Sequence, residues 1–275
     1  MAKGKSARPS AITKLSETPT VGKRNWLIYA DSGVGKTVLA GTAPNALFLT
    51  VEAAGTESAK EQGSEADEWV TGEWDEIQKA YKWLKEGGCE NYDWIIVDSL
   101  SEMEEACWRD QLQKEFEANS SRSLYQPQLK DYQVVGNKMK RLVDMFNRLP
   151  INVLYTAHAM RIDIEDIYTE EDTTKLLPMV GSANNGVLAQ KVCGMMTLVG
   201  LLTVRAPKRN AEGEDDKSAD PYRRLFVEGN KRFVAKTRHN LPAFIDRPDI
   251  AEMISTVDKA GDKPRKADPS DEDQD

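Results

Sequence analysis

From residue 25 onward, short apolar runs alternate with longer amphipathic stretches, the rhythm of strand and helix in an α/β fold. Trp26-Leu27-Ile28-Tyr29 and residues 46–51, 92–99 and 151–157 read as buried strands. Between them, Trp74, Ile77, Tyr81 and Leu84 recur at helical spacing ahead of Gly87-Gly88, a helix stop, with Trp74 and Tyr81 as core anchors. Residues 101–116 and 131–148 read as helices, the second placing Val135, Met139, Leu142 and Phe146 on one face. Residues 57–68 are acidic and exposed, and residues 118–127 form a polar loop. Residues 160–189 lack a sustained period and read as one long loop, acidic in its first half and glycine-bearing from Gly181 to Gly186. A strand over 195–204, a charged hairpin tip over 206–221 and two strands joined at Gly229-Asn230 complete the pattern. The expectation is a mainly parallel central sheet flanked by helices, with a C-terminal antiparallel extension.

Composition sets the limits of that core. Hydrophobic residues make up 40% of the 275 and charged residues 30%, enough for one large domain with a polar surface. Residues 1–22 are Lys-, Ser-, Thr- and Pro-rich and read as a flexible arm, residues 23–258 as the core, and residues 259–275 as an acidic disordered tail. The cysteines, Cys89, Cys107 and Cys193, share no metal spacing and fit a reducing cytosol. No apolar run approaches membrane-spanning length, and the N-terminus lacks a signal-peptide core, so a cytoplasmic protein without a membrane partner is expected. A net charge of −8 argues against a globally basic nucleic-acid binder while leaving room for a local basic groove.

The most specific chemistry lies in Ala30-Asp31-Ser32-Gly33-Val34-Gly35-Lys36-Thr37, which follows a strand and opens a helix-compatible run. That context is the phosphate-binding loop: small residues let backbone N–H groups converge on phosphate oxygens. Asp31, Ser32, Gly33, Val34, Gly35, Lys36, Thr37 and Val38 are the expected nucleotide contacts, with the Lys36 ammonium on the β- and γ-phosphates. The Thr37 hydroxyl and Asp98, which ends a buried strand, are the expected Mg²⁺ ligands. The loop opens with Ala30 in place of the usual glycine, which a positive φ would strain. Ser99 follows Asp98 where many ATPases have glutamate, so the water-activating base must come from elsewhere. Glu52, at the end of the strand over 46–51, is the natural candidate. His158 closes a third strand at the same edge and can sense the γ-phosphate. Lys236 and Arg238, spaced i, i+2 on an extended segment, share one face and could neutralise γ-phosphate charge in the same chain or a neighbouring one.

In this order, the phosphate loop, Glu52, Val97-Asp98-Ser99, His158 and Lys236-Thr237-Arg238 resemble the RecA-like P-loop NTPase core. The likeness is closest to core-only phage ATPases of single-strand annealing and recombination (AAA-type nucleotide-binding proteins), and spans roughly residues 25–242. The resemblance implies ATP and Mg²⁺ bound at subunit interfaces, DNA-stimulated hydrolysis, and a homo-oligomeric ring or filament in the cytoplasm of a bacterial host. The family position of His158 is usually Gln. Two DNA-binding loops would correspond to residues 119–130 and 160–188, making Arg122, Tyr125, Lys130, Lys175, Gly181, Ser182, Asn184, Asn185 and Gly186 candidates for contacting single-stranded DNA. The six carboxylates at the start of the second loop depart from that picture. The acidic tail resembles tails that compete with DNA or recruit partners such as a single-strand-binding protein. The rival readings are another P-loop DNA motor, helicase-like or packaging, and a non-hydrolysing nucleotide-gated DNA-binding module.

Overall fold

A computed structural model describes residues 22–165, 172–181, 186–205 and 220–260. β1 (Asn25–Ala30) leads into α1 (Lys36–Ala40), and β2 (Ala46–Thr50) is followed by α2 (Glu57–Glu61) and β3 (Asp67–Val70). Next come α3 (Trp74–Lys85), β4 (Trp94–Asp98), α4 (Leu100–Ala118) and α5 (Leu129–Asn147). β5 (Asn152–Glu165), β6 (Asp172–Pro178), α6 (Val187–Met195) and β7 (Leu198–Arg205) follow. The described chain closes with β8 (Tyr222–Phe226), β9 (Lys236–Thr237), β10 (Phe244–Asp246) and α7 (Ile250–Ala260).

The sheet runs β10-β8-β7-β1-β5-β4-β2-β3. Every pairing from β7 to β3 is parallel, while β8 and β10 continue it antiparallel and β9 pairs antiparallel with β7. This is the expected mixed α/β class. Alternation of side chains splits the core into two layers. Leu27, Tyr29, Ile95, Val97, Val153 and Tyr155 face α3, α4, α5 and α6. Trp26, Ile28, Ala30, Ile96, Leu154 and Leu202 face α1 and α7. Trp74 is buried and Tyr81 is packed against the first layer, as their spacing predicts.

Several elements differ from expectation. Residues 57–68 hold a short helix and reach the first residues of the parallel edge strand β3, whose Trp69 packs on the core. Much of the described part of the long segment after His158 is strand: β5 runs on past the sheet and pairs antiparallel with β6 from Ala159↔Pro178 to Glu165↔Asp172. The alternation of Ile162 and Ile164 with Arg161, Asp163 and Glu165 is the period-two signal of a strand with one polar face, and the sequence reading passed over it. The strand after Gly229-Asn230 does not pair with β8. β8 pairs with β7 and β10 instead, and residues 236–237 pair with β7, leaving only a single bridge, Asn230↔Phe233, at the expected turn. Finally, Ile250, Met253 and Val257 bury one face of α7, so helix extends to Ala260, where an acidic tail was expected to begin.

Candidate functional site

Parallel strands end on a common edge, and register sets which residues meet there. Ala30 is level with His158 across β1 and β5, and Thr50 with Asp98 across β2 and β4. At that edge lies a cleft of about 380 Å³. It is lined by Ser32, Gly33, Gly35, Lys36, Thr37 and Val38 of the phosphate loop, and by Glu52, Asp98 and His158. The structure therefore brings these sequence-predicted residues together. Asp31 and Val34 belong to the loop but are not among the lining residues.

The loop's glycines occupy left-handed backbone, with φ of 74° at Gly33 and 104° at Gly35, a conformation that disfavours a side chain. Ala30 carries no such strain. It is the buried last residue of β1, and among described non-glycine residues only Asn45 and Arg247 have positive φ. The loop thus tolerates Ala30 because it begins in extended backbone. α1 has only five residues, so an anion at this turn would be held by the loop's backbone N–H groups more than by a long helix dipole.

Lys36 is buried, and its Nζ donates to Ala30 O at 3.2 Å and Asp31 O at 3.1 Å. Burial lowers its pKa, opposed by the charges of Asp98, Asp31 and Glu52. Thr37 Oγ1 donates to Asp98 Oδ2 at 2.7 Å, and Thr156 Oγ1 donates to the other carboxylate oxygen. Burial raises the Asp98 pKa, while both hydroxyl bonds and Lys36 pull it down. A hydroxyl and a carboxylate in contact, with Glu52 in the same cleft, form a hard-oxygen set that fits Mg²⁺. That ion binds through one or two carboxylates plus substrate phosphates.

Ser99 has its own explanation. It is the N-cap of α4, its side chain accepting from Glu102 N at 3.3 Å, which suits serine better than glutamate. Helix α4 then ties the cleft to the hairpin. Ser101 Oγ accepts from His158 N at 3.0 Å and donates to Met179 O at 2.9 Å. One turn on, buried Glu104 accepts from Gly181 N at 2.7 Å. Burial raises the Glu104 pKa.

The remaining expected residues separate. Lys236 and Arg238 lie away from the cleft of their own chain. Lys236 is level with Val199, which is level with Leu27, and Arg238 N donates to Thr197 O at the amino edge of the sheet. Three strand residues, or about 10 Å, separate Lys236 from the phosphate-loop edge, so charge neutralisation in cis is corrected. Arg122 is also corrected as a DNA contact: it is buried against Asp131, with Glu115 and Gln128 beside it. Lys130 is exposed but pairs with Glu115 at 2.7 Å. Tyr125 stands 88% exposed, and Lys175 is half-buried on β6 opposite Ile162. Gly181, at φ 71°, and Gly186, the N-cap of α6 at φ 76°, bracket Ser182, Asn184 and Asn185, which lie outside the described residues.

Sequence reasoning missed Glu102 and Arg223 at the cleft, Thr156 buried behind it on Asp98, and Arg161, which pairs with Asp31 at 3.3 Å. A lone hydroxyl two residues before His158 in an apolar strand was the available signal for Thr156. The others depend on which strands become neighbours.

No curated protein matches this sequence. Among solved structures, the chain is similar to the RadB recombinase, at 13% identity and a TM-score of 0.43, covering 84% of this chain and 90% of that one. It is also similar to the flagellar accessory protein FlaH from Methanocaldococcus jannaschii, at 10% identity and a TM-score of 0.39, covering 81% and 84%. With the loop, the carboxylate and the parallel edge in place, the sequence matches the AAA domain family over residues 23–239, and the chain belongs to that family.

Proposed function

We propose that this chain is a Mg²⁺-dependent ATPase of the RecA-like class that binds single-stranded DNA in recombination or annealing, in the cytoplasm of a bacterial host. One observation carries the reading: Lys36 and Thr37 after β1, Glu52 after β2, Asp98 at the end of β4 and His158 partway along β5 line a single cleft. Lys36 and the loop N–H groups bind phosphate, and Thr37 with Asp98 holds Mg²⁺, which supplies charge neutralisation at the transferring phosphoryl group when bound. Glu52 orients and deprotonates the attacking water. His158 senses the terminal phosphate. The Ser101 and Glu104 hydrogen bonds give that sensing a short path to Met179 and Gly181, within the second candidate DNA loop over residues 160–188.

Tyr125 and Lys175 are the DNA contacts this reading retains. Tyr125 offers a stacking face and Lys175 a phosphate contact. Lys236 and Arg238 act across a subunit interface in a homo-oligomeric ring or filament, on a neighbour's triphosphate. A single-strand-binding protein is the partner for the acidic tail.

Nucleotide binding and ATP turnover, measured with and without single-stranded DNA, test the proposal. Lys36→Ala abolishes nucleotide binding. Glu52→Gln retains binding and lowers turnover by about 10²–10⁴-fold. Wild-type turnover in Glu52→Gln removes the base assignment and leaves the nucleotide-gated binding module as the reading.

A further inference from the structure

Arg223 is the second cation lining the nucleotide cleft, and it arrives from the antiparallel extension. Its Nε donates to Val34 O at 3.0 Å, across 189 residues of sequence. The guanidinium lies against the phosphate loop where a glycine makes room: a Cβ added at Gly35 would sit 2.9 Å from Arg223 Nε. Gly35 therefore has two reasons to lack a side chain, its φ of 104° and this close approach. Nε–H is used on the loop, and among the described residues no hydrogen bond engages the two terminal nitrogens, which are the donors for a ligand. Among the described residues, no carboxylate is in a salt bridge with Arg223. The neighbouring Arg224 is held on the other face of β8 by Asp246 at 2.6 Å, so adjacent arginines on one strand have opposite fates.

Position along the cleft follows from strand order. β8 lies two places to one side of β1, while Asp98 on β4 and Glu52 beyond β2 lie on the other side. The metal and the attacking water belong with the γ-phosphate at the Asp98 and Glu52 end. The opposite end receives the α- and β-phosphates that any nucleoside di- or triphosphate carries.

Resting on the ATPase reading above, we infer that Arg223 is a further nucleotide-binding residue that contacts the α- or β-phosphate in cis, fastening the antiparallel extension to the bound nucleotide. It contributes equally to nucleoside diphosphate and triphosphate and does not read the γ-phosphate.

The test is equilibrium binding of fluorescent ADP and of a non-hydrolysable ATP analogue, with Mg²⁺, to the full-length protein and its Arg223→Ala and Arg223→Lys variants. Arg223→Ala should weaken both ligands about tenfold, by a common factor, since a charged hydrogen bond is lost from both. Arg223→Lys should recover part of that loss. Thermal unfolding without nucleotide controls for folding, and the shift in unfolding temperature produced by ADP should shrink in Arg223→Ala. Unchanged affinity for both ligands in a folded Arg223→Ala variant overturns the inference, as does a loss confined to the triphosphate analogue. Failure of the unsubstituted protein to bind either nucleotide instead overturns the ATPase reading itself.

Discussion

Asp131 shows how a residue can look like surface in sequence and act as core in the fold. Its carboxylate is fully buried, faces the guanidinium of Arg122 and accepts from Gln128 N at 2.7 Å, closing the capping box of α5. Removing one partner of a buried pair strands the other, so Asp131→Ala should destabilise the protein by roughly 3–5 kcal/mol in denaturant unfolding. His239 makes a second prediction. Trp26 Nε1 donates to His239 Nε2 at 3.0 Å, which requires an unprotonated Nε2. Burial lowers its pKa first, and the charge of Arg24 adds to that, against Asp258. Because the folded pKa lies below the unfolded one, the unfolded chain binds the proton first as pH falls. Stability is full above about pH 6.5 and declines toward the folded pKa. Thermal unfolding between pH 8 and 5 should show that decline, and His239→Gln should flatten its histidine component. At this scale Lys36, Thr37 and Asp98 were legible because their roles are encoded by local spacing. Thr156 and Arg223 were not, because each is defined by a partner distant in sequence, and the Arg122–Asp131 pair was not, because its burial depends on how the turn between α4 and α5 folds back.

Among the elements, the hairpin of β5 and β6 departs most from the sequence reading. It is rooted at His158 and ends at Gly181, whose backbone is held by Glu104 on α4. Gly181 has a φ of 71°, and an added Cβ would lie 2.6 Å from Leu188 Cβ. Gly181→Ala should therefore cost about 2 kcal/mol in unfolding experiments, through backbone strain and overpacking against α6. Tyr125, between α4 and α5, makes the contrasting case. Tyr125→Ala should leave stability unchanged and weaken single-stranded DNA binding by about 1–3 kcal/mol in titrations at fixed salt, if a base stacks there. Strands β1, β2, β4 and the first half of β5 were readable because a strand buried on both faces is a continuous apolar run. β3, β6 and the far half of β5 were missed because they carry no continuous apolar run; in β5 the alternation of Ile162 and Ile164 with Arg161, Asp163 and Glu165 was itself the available signal.

For the whole molecule, the displacement of Lys236 and Arg238 from their own cleft has a direct consequence. If they serve a neighbour's nucleotide, Arg238→Ala should lower ATP turnover by about 10³-fold while ADP binding persists. Mixing that variant with Lys36→Ala protein should restore part of the activity, since mixed interfaces pair an intact phosphate loop with an intact Arg238. Turnover that stays absent in every mixture counts against assembly-shared catalysis. The sequence by itself determined the α/β class, the phosphate loop, the Asp98 carboxylate and the helices of one layer, because these rest on periodicity and spacing within a few residues. Only the tertiary structure decided that β5 continues into a hairpin, that β8 turns away from its neighbour in sequence, and that Arg223 comes to the cleft while Lys236 and Arg238 leave it. Those outcomes depend on strand order and register, which arise from competition among all strands for burial and are written in no local stretch of the chain.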